Sequence, residues 1–193
     1  AANPAYLKTS AASSTTNSEL LYVRCVGNNF EDETALRFNN NATMGFDSEW
    51  DAVKLFSDNP QNISLSTRIT NQDYSINSIP SGYSTLQIPL RTKVGVSGTY
   101  TLTFSGISNF SGFTCISLED TYTGISTDLK AQNVYTVQLS DTSDKPQYVI
   151  HFTKVATATA IPTLCGTGAS GKIILEGAAG SSYTLSNLQG SIL

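Results

Sequence analysis

Apolar and polar residues alternate one for one through most of this chain, and that period leaves few folds open. In "ELLYVRCV" the residues Leu21, Val23 and Cys25 share a face; in "ISLSTRI" the set is Ile63, Leu65, Thr67 and Ile69; in "STLQIPL" it is Leu86, Ile88 and Leu90. "TYTLTF", "FTCISLED", "NVYTVQL" and "QYVIHFTK" continue the pattern. Successive side chains of a strand point to opposite faces, so a period of two marks strands with one side buried. Turn-forming stretches separate the runs: "SDNPQN", "IPSGYS", "GVSGT", "SNFSGF", "DTYTG" and "SDTSDKP". Helical spacing is confined to a single turn's length at "SEWDAVK". About eleven such runs between residues 20 and 154 predict an all-β fold, a jelly-roll-like antiparallel β-sandwich.

The pattern also divides the chain. Residues 1–19 read as an N-terminal extension and 20–155 as the sandwich. Residues 156–171, "ATATAIPTLCGTGASG", are small and polar and read as a linker. Residues 172–193, "KIILEGAAGSSYTLSNLQGSIL", read as a small, incomplete β-sandwich segment of two or three strands. So few strands bury too little surface to stand alone in water, so this segment is expected to dock on the sandwich or to be completed by a partner. The start, "AANPAYLKTSAASS", lacks the charged and apolar regions of a leader, as expected once a signal peptide has been removed.

Composition narrows the function. Charged residues make up 13% of the chain, against about 25% in ordinary soluble proteins. Ser, Thr, Asn and Gly replace them, as in exported all-β proteins. The net charge is −4 with 11 Lys plus Arg and no basic run, which argues against a nucleic-acid partner. No apolar run approaches the roughly 20 residues of a membrane-spanning helix, so no membrane span is expected. The three cysteines, Cys25, Cys115 and Cys165, lack metal-site spacing. One disulfide with a free thiol, or three buried thiols, both remain open.

The stretch "RFNNNATMGFDSEWDAVKLFS" looks most like a site. Asp47, Glu49 and Asp51 alternate beside the amides of Asn39, Asn40 and Asn41, and such oxygens could take a calcium ion. The favoured reading is structural: a strand ending at Phe38, a polar crossover, and a strand starting near Asp51. Arg37 would pin that crossover by pairing with Asp47 or Asp51. His151 is the only histidine, and the chain has no G-x-S-x-G elbow to go with it. "GTGASG" lacks the ending of a phosphate loop and reads as linker. A two-carboxylate glycosidase would draw on Glu33, Asp47, Glu49, Asp51, Asp73, Glu119 and Asp120. Most of these lie beside turn residues, where the simpler expectation is exposed strand-end charge. Neither catalytic residues nor a cofactor is expected. Sugar contacts would come from loop aromatics, chiefly Trp50, Tyr74, Tyr83 and Tyr122, with Phe110 and Phe113 near loops as well.

"DETALRFNNNATMGFDSEWDAVKLFSDNPQNISLSTRITNQDYSINSIP", "IPLRTKVGVSGTYTLTFSGISNF" and "ISLEDTYTGISTDL" share an ordered set of motifs. An Arg-Phe strand comes first, then an Asp-Ala-x-Lys-Leu strand, then a Leu-Glu-Asp turn before a Thr-Gly pair. In this order the chain resembles, over about residues 20–154, a β-sandwich module of exported Bacteroidota proteins found ahead of type IX secretion sorting domains. "GKIILEGAAGSSYTLSNLQGSIL" is similar to the first half of such a sorting domain, without its later strands and Gly-x-Tyr segment. The resemblance implies handling by the secretion machinery, export and surface display, and it implies no catalytic residues. The function expected is a non-enzymatic secreted or cell-surface structural or adhesive module, with self-assembly into a filament by strand addition through residues 172–193 as one form of it. The alternative is a carbohydrate-binding module on a surface polysaccharide beside a secreted polysaccharidase. A glycoprotein reading, from N-x-S/T sequons at Asn41, Asn62 and Asn109, ranks last.

Overall fold

The computed structural model describes residues 19–140, 147–154, 157–161 and 172–176, together with Thr184. The chain is all-β. Its strands are β1 (Leu20–Gly27), β2 (Phe30–Phe38), β3 (Ala52–Val53), β4 (Ser64–Ile69), β5 (Gln72–Ile79), β6 (Thr85–Lys93) and β7 (Gly98–Ser105). These continue with β8 (Phe113–Asp120), β9 (Ile125–Asp128), β10 (Val134–Leu139), β11 (Tyr148–Lys154), β12 (Thr157–Ile161) and β13 (Lys172–Glu176). One 3-10 turn, Ile107–Asn109, joins β7 to β8.

Two hairpins are set locally. Asn28 and Asn29, at φ 49° and 63°, turn β1 into β2; Thr70 and Asn71, at φ 48° and 64°, turn β4 into β5. Two successive left-handed residues match the twist of the flanking strands, and asparagine tolerates that conformation well.

Eleven strands form one curled sheet, in the order β10-β7-β1-β2-β5-β4-β6-β11-β8-β9, with β3 added on β5. Strand β5 makes the fold-over possible because it is shared. Its residues Gln72–Tyr74 pair antiparallel with β4, while Ile76–Ile79 pair in parallel with β2. From β6 onward every connection except the β8–β9 hairpin crosses between the two flanks, the alternation of a jelly roll. The parallel pair departs from the all-antiparallel expectation, since a period of two fixes which face is buried and says nothing of strand direction.

The flanks close on a single core. Leu21, Val23, Leu102 and Phe104 from one side meet Leu86, Ile88, Leu90, Ile150 and Phe152 from the other. Phe38 of β2 has ring neighbours Phe110, Phe113 and Phe152 with centroids 5.3–5.5 Å away. Tyr135 of β10 meets Tyr148 of β11 edge-on at 5.9 Å, although their strands lie in opposite flanks. Edge and tilted packings of this kind suit the ring quadrupole.

Part of the segment read as a linker is a strand. Within 156–171, Thr157–Ile161 pairs antiparallel with Lys172–Glu176 in a separate two-stranded sheet. The alternation Thr-Ala-Thr-Ala-Ile is present in "TATAI", but threonine and alanine differ too little in hydropathy for the period to stand out. Apart from Thr184, residues 177–193 of the expected sorting-like segment lie outside the described residues.

Candidate functional site

The acidic crossover is a pinned loop. β2 ends at Phe38 and β3 begins at Ala52. Between them Asp47 Oδ2 accepts from Thr43 N at 2.6 Å and Asp47 Oδ1 from Thr43 Oγ1 at 3.2 Å. Asp51 Oδ2 accepts from Asp47 N at 2.8 Å, and Asp51 Oδ1 from Ser78 N at 2.7 Å. Ser78 Oγ in turn donates to Trp50 O at 2.9 Å. Glu49 is exposed. The expected pairing of Arg37 with Asp47 or Asp51 is replaced by stacking, with the guanidinium carbon 5.3 Å from the Trp50 ring centroid. Backbone amides reach the two carboxylates first, and the flat guanidinium suits a ring face. Among the described residues, no three His, Cys, Asp or Glu side chains cluster as a metal site.

The aromatics expected to contact sugar are dispersed. Tyr74 is buried and stacks on Phe46, centroids 6.4 Å apart. Burial pushes its hydroxyl pKa up, with Asp51 and Asp47 adding to the effect. Trp50 lies half-buried under Arg37. Tyr83 precedes β6, which starts opposite Thr153, whereas Tyr122 follows β8, which ends opposite Tyr148. Tyr83 and Tyr122 therefore sit at opposite ends of the β6–β11–β8 group, and these four rings do not form one platform.

Of the other expected acids Glu33 is exposed, whereas three differ from exposed strand-end charges. Asp120 is buried, with Oδ1 accepting from Tyr122 N at 2.9 Å and Oδ2 from Gln147 Nε2 at 3.3 Å. Glu119 holds His151 Nε2 at 2.7 Å across neighbouring strands. Asp73 is buried and lines a groove in the surface.

That groove, about 570 Å³, is built by β4, β5, β6 and the 56–62 loop. Three cross-strand pairs underlie it: Ser64 opposite Lys93, the fully buried Ser66 opposite Arg91, and Arg68 opposite Asp73. Directly opposed residues of an antiparallel ladder share a face, so cations and acceptors are set side by side. Asp73 Oδ1 accepts from Ser66 Oγ at 2.8 Å and from Arg68 Nε at 3.2 Å. Asp73 Oδ2 accepts from Arg68 Nη2 at 2.7 Å and from Arg91 Nη1 at 3.4 Å. The Arg91 guanidinium also lies over Phe56, 5.1 Å from its centroid.

The loop that walls the groove is held locally. Asn59 Oδ1 accepts from Gln61 N at 3.0 Å, and Asn62 Nδ2 donates to Ser57 Oγ at 2.8 Å. A Cβ built on Gly95 would fall 1.7 Å from Pro60 O, so only glycine lets the β6–β7 turn seat against the loop. Sequence reasoning missed Arg68, Arg91 and Lys93. Their parity on the non-core face was readable, but their juxtaposition depends on β4 lying between β5 and β6.

A second buried charge pair lies nearby. Lys54 Nζ donates to Asp32 Oδ2, which also accepts from Leu65 N at 2.7 Å. Burial, reinforced by the Asp32 charge, pushes the Cys25 thiol up to about 12. Cys25 and Cys115 are free thiols, one buried and one exposed; Cys165 lies outside the described residues.

Comparison with curated proteins finds no match, and comparison with solved structures finds none either. A family profile described as "Domain of unknown function (DUF8693)" matches residues 1–152, a span that takes in the curled sheet nearly to the end of β11. The chain belongs to that family.

Proposed function

We propose that the chain is a non-enzymatic structural or adhesive module, displayed outside the cell, that joins to its neighbours through the β12–β13 ribbon and the residues after it. The observation that carries this reading is the ribbon itself. Ile173 and Leu175 lie opposite Ala160 and Ala158 and are 47% and 48% exposed. A two-stranded sheet is marginal in water, and among the described residues neither β12 nor β13 has a further strand beside it, an arrangement that favours strand addition. Repeated head to tail, such a contact builds a filament. The type IX-like motifs support the surface location. Light scattering and electron microscopy of the full chain test it. High-mass assemblies are expected, and Ile173→Asp with Leu175→Asp should abolish them. A full chain that stays monomeric at high concentration would refute the assembly reading.

A second reading, carbohydrate binding, is favoured by the groove beside Phe56, whose wall carries the amides and hydroxyls of Asn59, Asn62 and Ser57. Amides and hydroxyls suit sugar hydroxyls, and a half-exposed ring suits a sugar's C–H face. Retention of the full chain on a panel of immobilised polysaccharides is the expected outcome, and failure to bind any of them would remove this reading.

A further inference from the structure

We propose that the β12–β13 ribbon of one copy docks on the exposed apolar patch around β3 of the next copy. The inference rests on the assembly reading and names the surface that accepts the ribbon; the groove plays no part in it.

The patch is the first argument. β3 is two residues long, and among the described residues it pairs with β5 alone. Val53 lies opposite Tyr74, and Phe46 stacks on the Tyr74 ring. Ile76 lies opposite Ala52, and Leu55 follows Val53 by two residues. Leu55 is 88% exposed and Phe46 55%, with Val53 and Ile76 exposed as well. Single exposed apolar residues are ordinary on any surface, but four large ones gathered at a short edge strand mark a contact site.

The ribbon is the second. Ala158 and Ala160 lie opposite Leu175 and Ile173, so one side of it carries these four residues and no polar side chain. Both that side and the β3 patch are exposed in the same molecule, so the chain does not cover one with the other. A second copy supplies what each lacks. The two surfaces lie on different elements, so the contact is heterologous and repeats from copy to copy.

Charge is the third. The crossover beside the patch carries Asp47, Glu49 and Asp51, with Glu49 exposed, whereas the exposed Lys172 opens β13 next to Ile173. A patch-to-patch contact would set two acidic crossovers together in a chain whose net charge is already −4. Ribbon on patch instead brings Lys172 towards the acidic stretch, and like-charge repulsion disfavours the alternative.

The test follows the full chain and three of its variants by sedimentation velocity. Leu55→Asp and Phe46→Ser alter the patch, and Ile173→Asp with Leu175→Asp alters the ribbon. All these side chains are exposed, so the thermal midpoint should not move. Leu55→Asp should raise the concentration needed for assembly at least about tenfold, the scale of one lost leucine contact, and Phe46→Ser should act in the same direction. Mixed one to one, the Leu55→Asp and ribbon variants should form a heterodimer and nothing larger, because one keeps the ribbon and the other the patch. Full assembly by both folded patch variants, or a mixture that stays monomeric, would overturn this inference and leave assembly through the ribbon standing. An unaltered chain that does not assemble, or a ribbon variant that still does, would overturn both.

Discussion

The Asp51 carboxylate takes one backbone N–H from inside the crossover, at Asp47, and one from outside it, at Ser78. Asp51→Ala should therefore unpin the loop from β5 and destabilise the chain by about 1–3 kcal/mol in denaturant titration, the usual cost of orphaned amides. Because both carboxylates serve backbone amides, chelator should move the thermal midpoint by less than a few degrees. A large loss that calcium restores and magnesium does not would refute this. The spacing of these acids was legible in the sequence, and so were the strand boundaries on either side. Their partners were not, because Ser78 arrives only through the fold.

Cys25 gives a pH test at the same scale. Its thiol pKa is raised to about 12 from an ordinary 9.0, so the fold keeps a proton that the unfolded chain releases. Stability from this group is complete below pH 9 and declines from there towards pH 12. Chemical denaturation across that window should show the fall, and Cys25→Ala should flatten it despite a lower starting stability. In native protein iodoacetamide should modify Cys115 and leave Cys25 untouched, as peptide mass mapping would show.

Strands and loops decide whether the groove exists. The alternation that exposed Leu86, Ile88 and Leu90 as core equally put Arg91 and Lys93 on the other face, and there the sequence reading stopped. A face opposite the core is normally solvent. Here the 56–62 loop covers it, and a short polar loop announces no such cover. Gly95→Ala should push that loop away from the β6–β7 turn and weaken any polysaccharide binding by the groove without altering any charge; unchanged binding would show that the seat of Pro60 is irrelevant. Phe38→Ala, at the centre of the aromatic cluster, should cost about 3–5 kcal/mol, measured the same way.

At the scale of the whole molecule the fold class was readable and the sheet order was not. Period two names strands; it cannot say that β7 lies between β1 and β10, or that β5 divides its pairing between β2 and β4. The apolar faces of β1, β2, β4 to β8, β10 and β11 meet in one core, so a chain ending at Lys154 should still unfold in a single cooperative transition; an insoluble or molten product would place β12 and β13 in the same core.

That sheet order also has a cost in time. The hairpins β1–β2, β4–β5 and β8–β9 can close within their own sequence, but β7 must wait for β1, and β11 must find both β6 and β8. Bringing together strands so distant along the chain spends loop entropy before any contact repays it, which places refolding on a scale of milliseconds to seconds or slower. During that interval β6 and β8 each present an unsatisfied edge to whatever is nearby, and the arrival of β11 between them is the step that retires both edges at once.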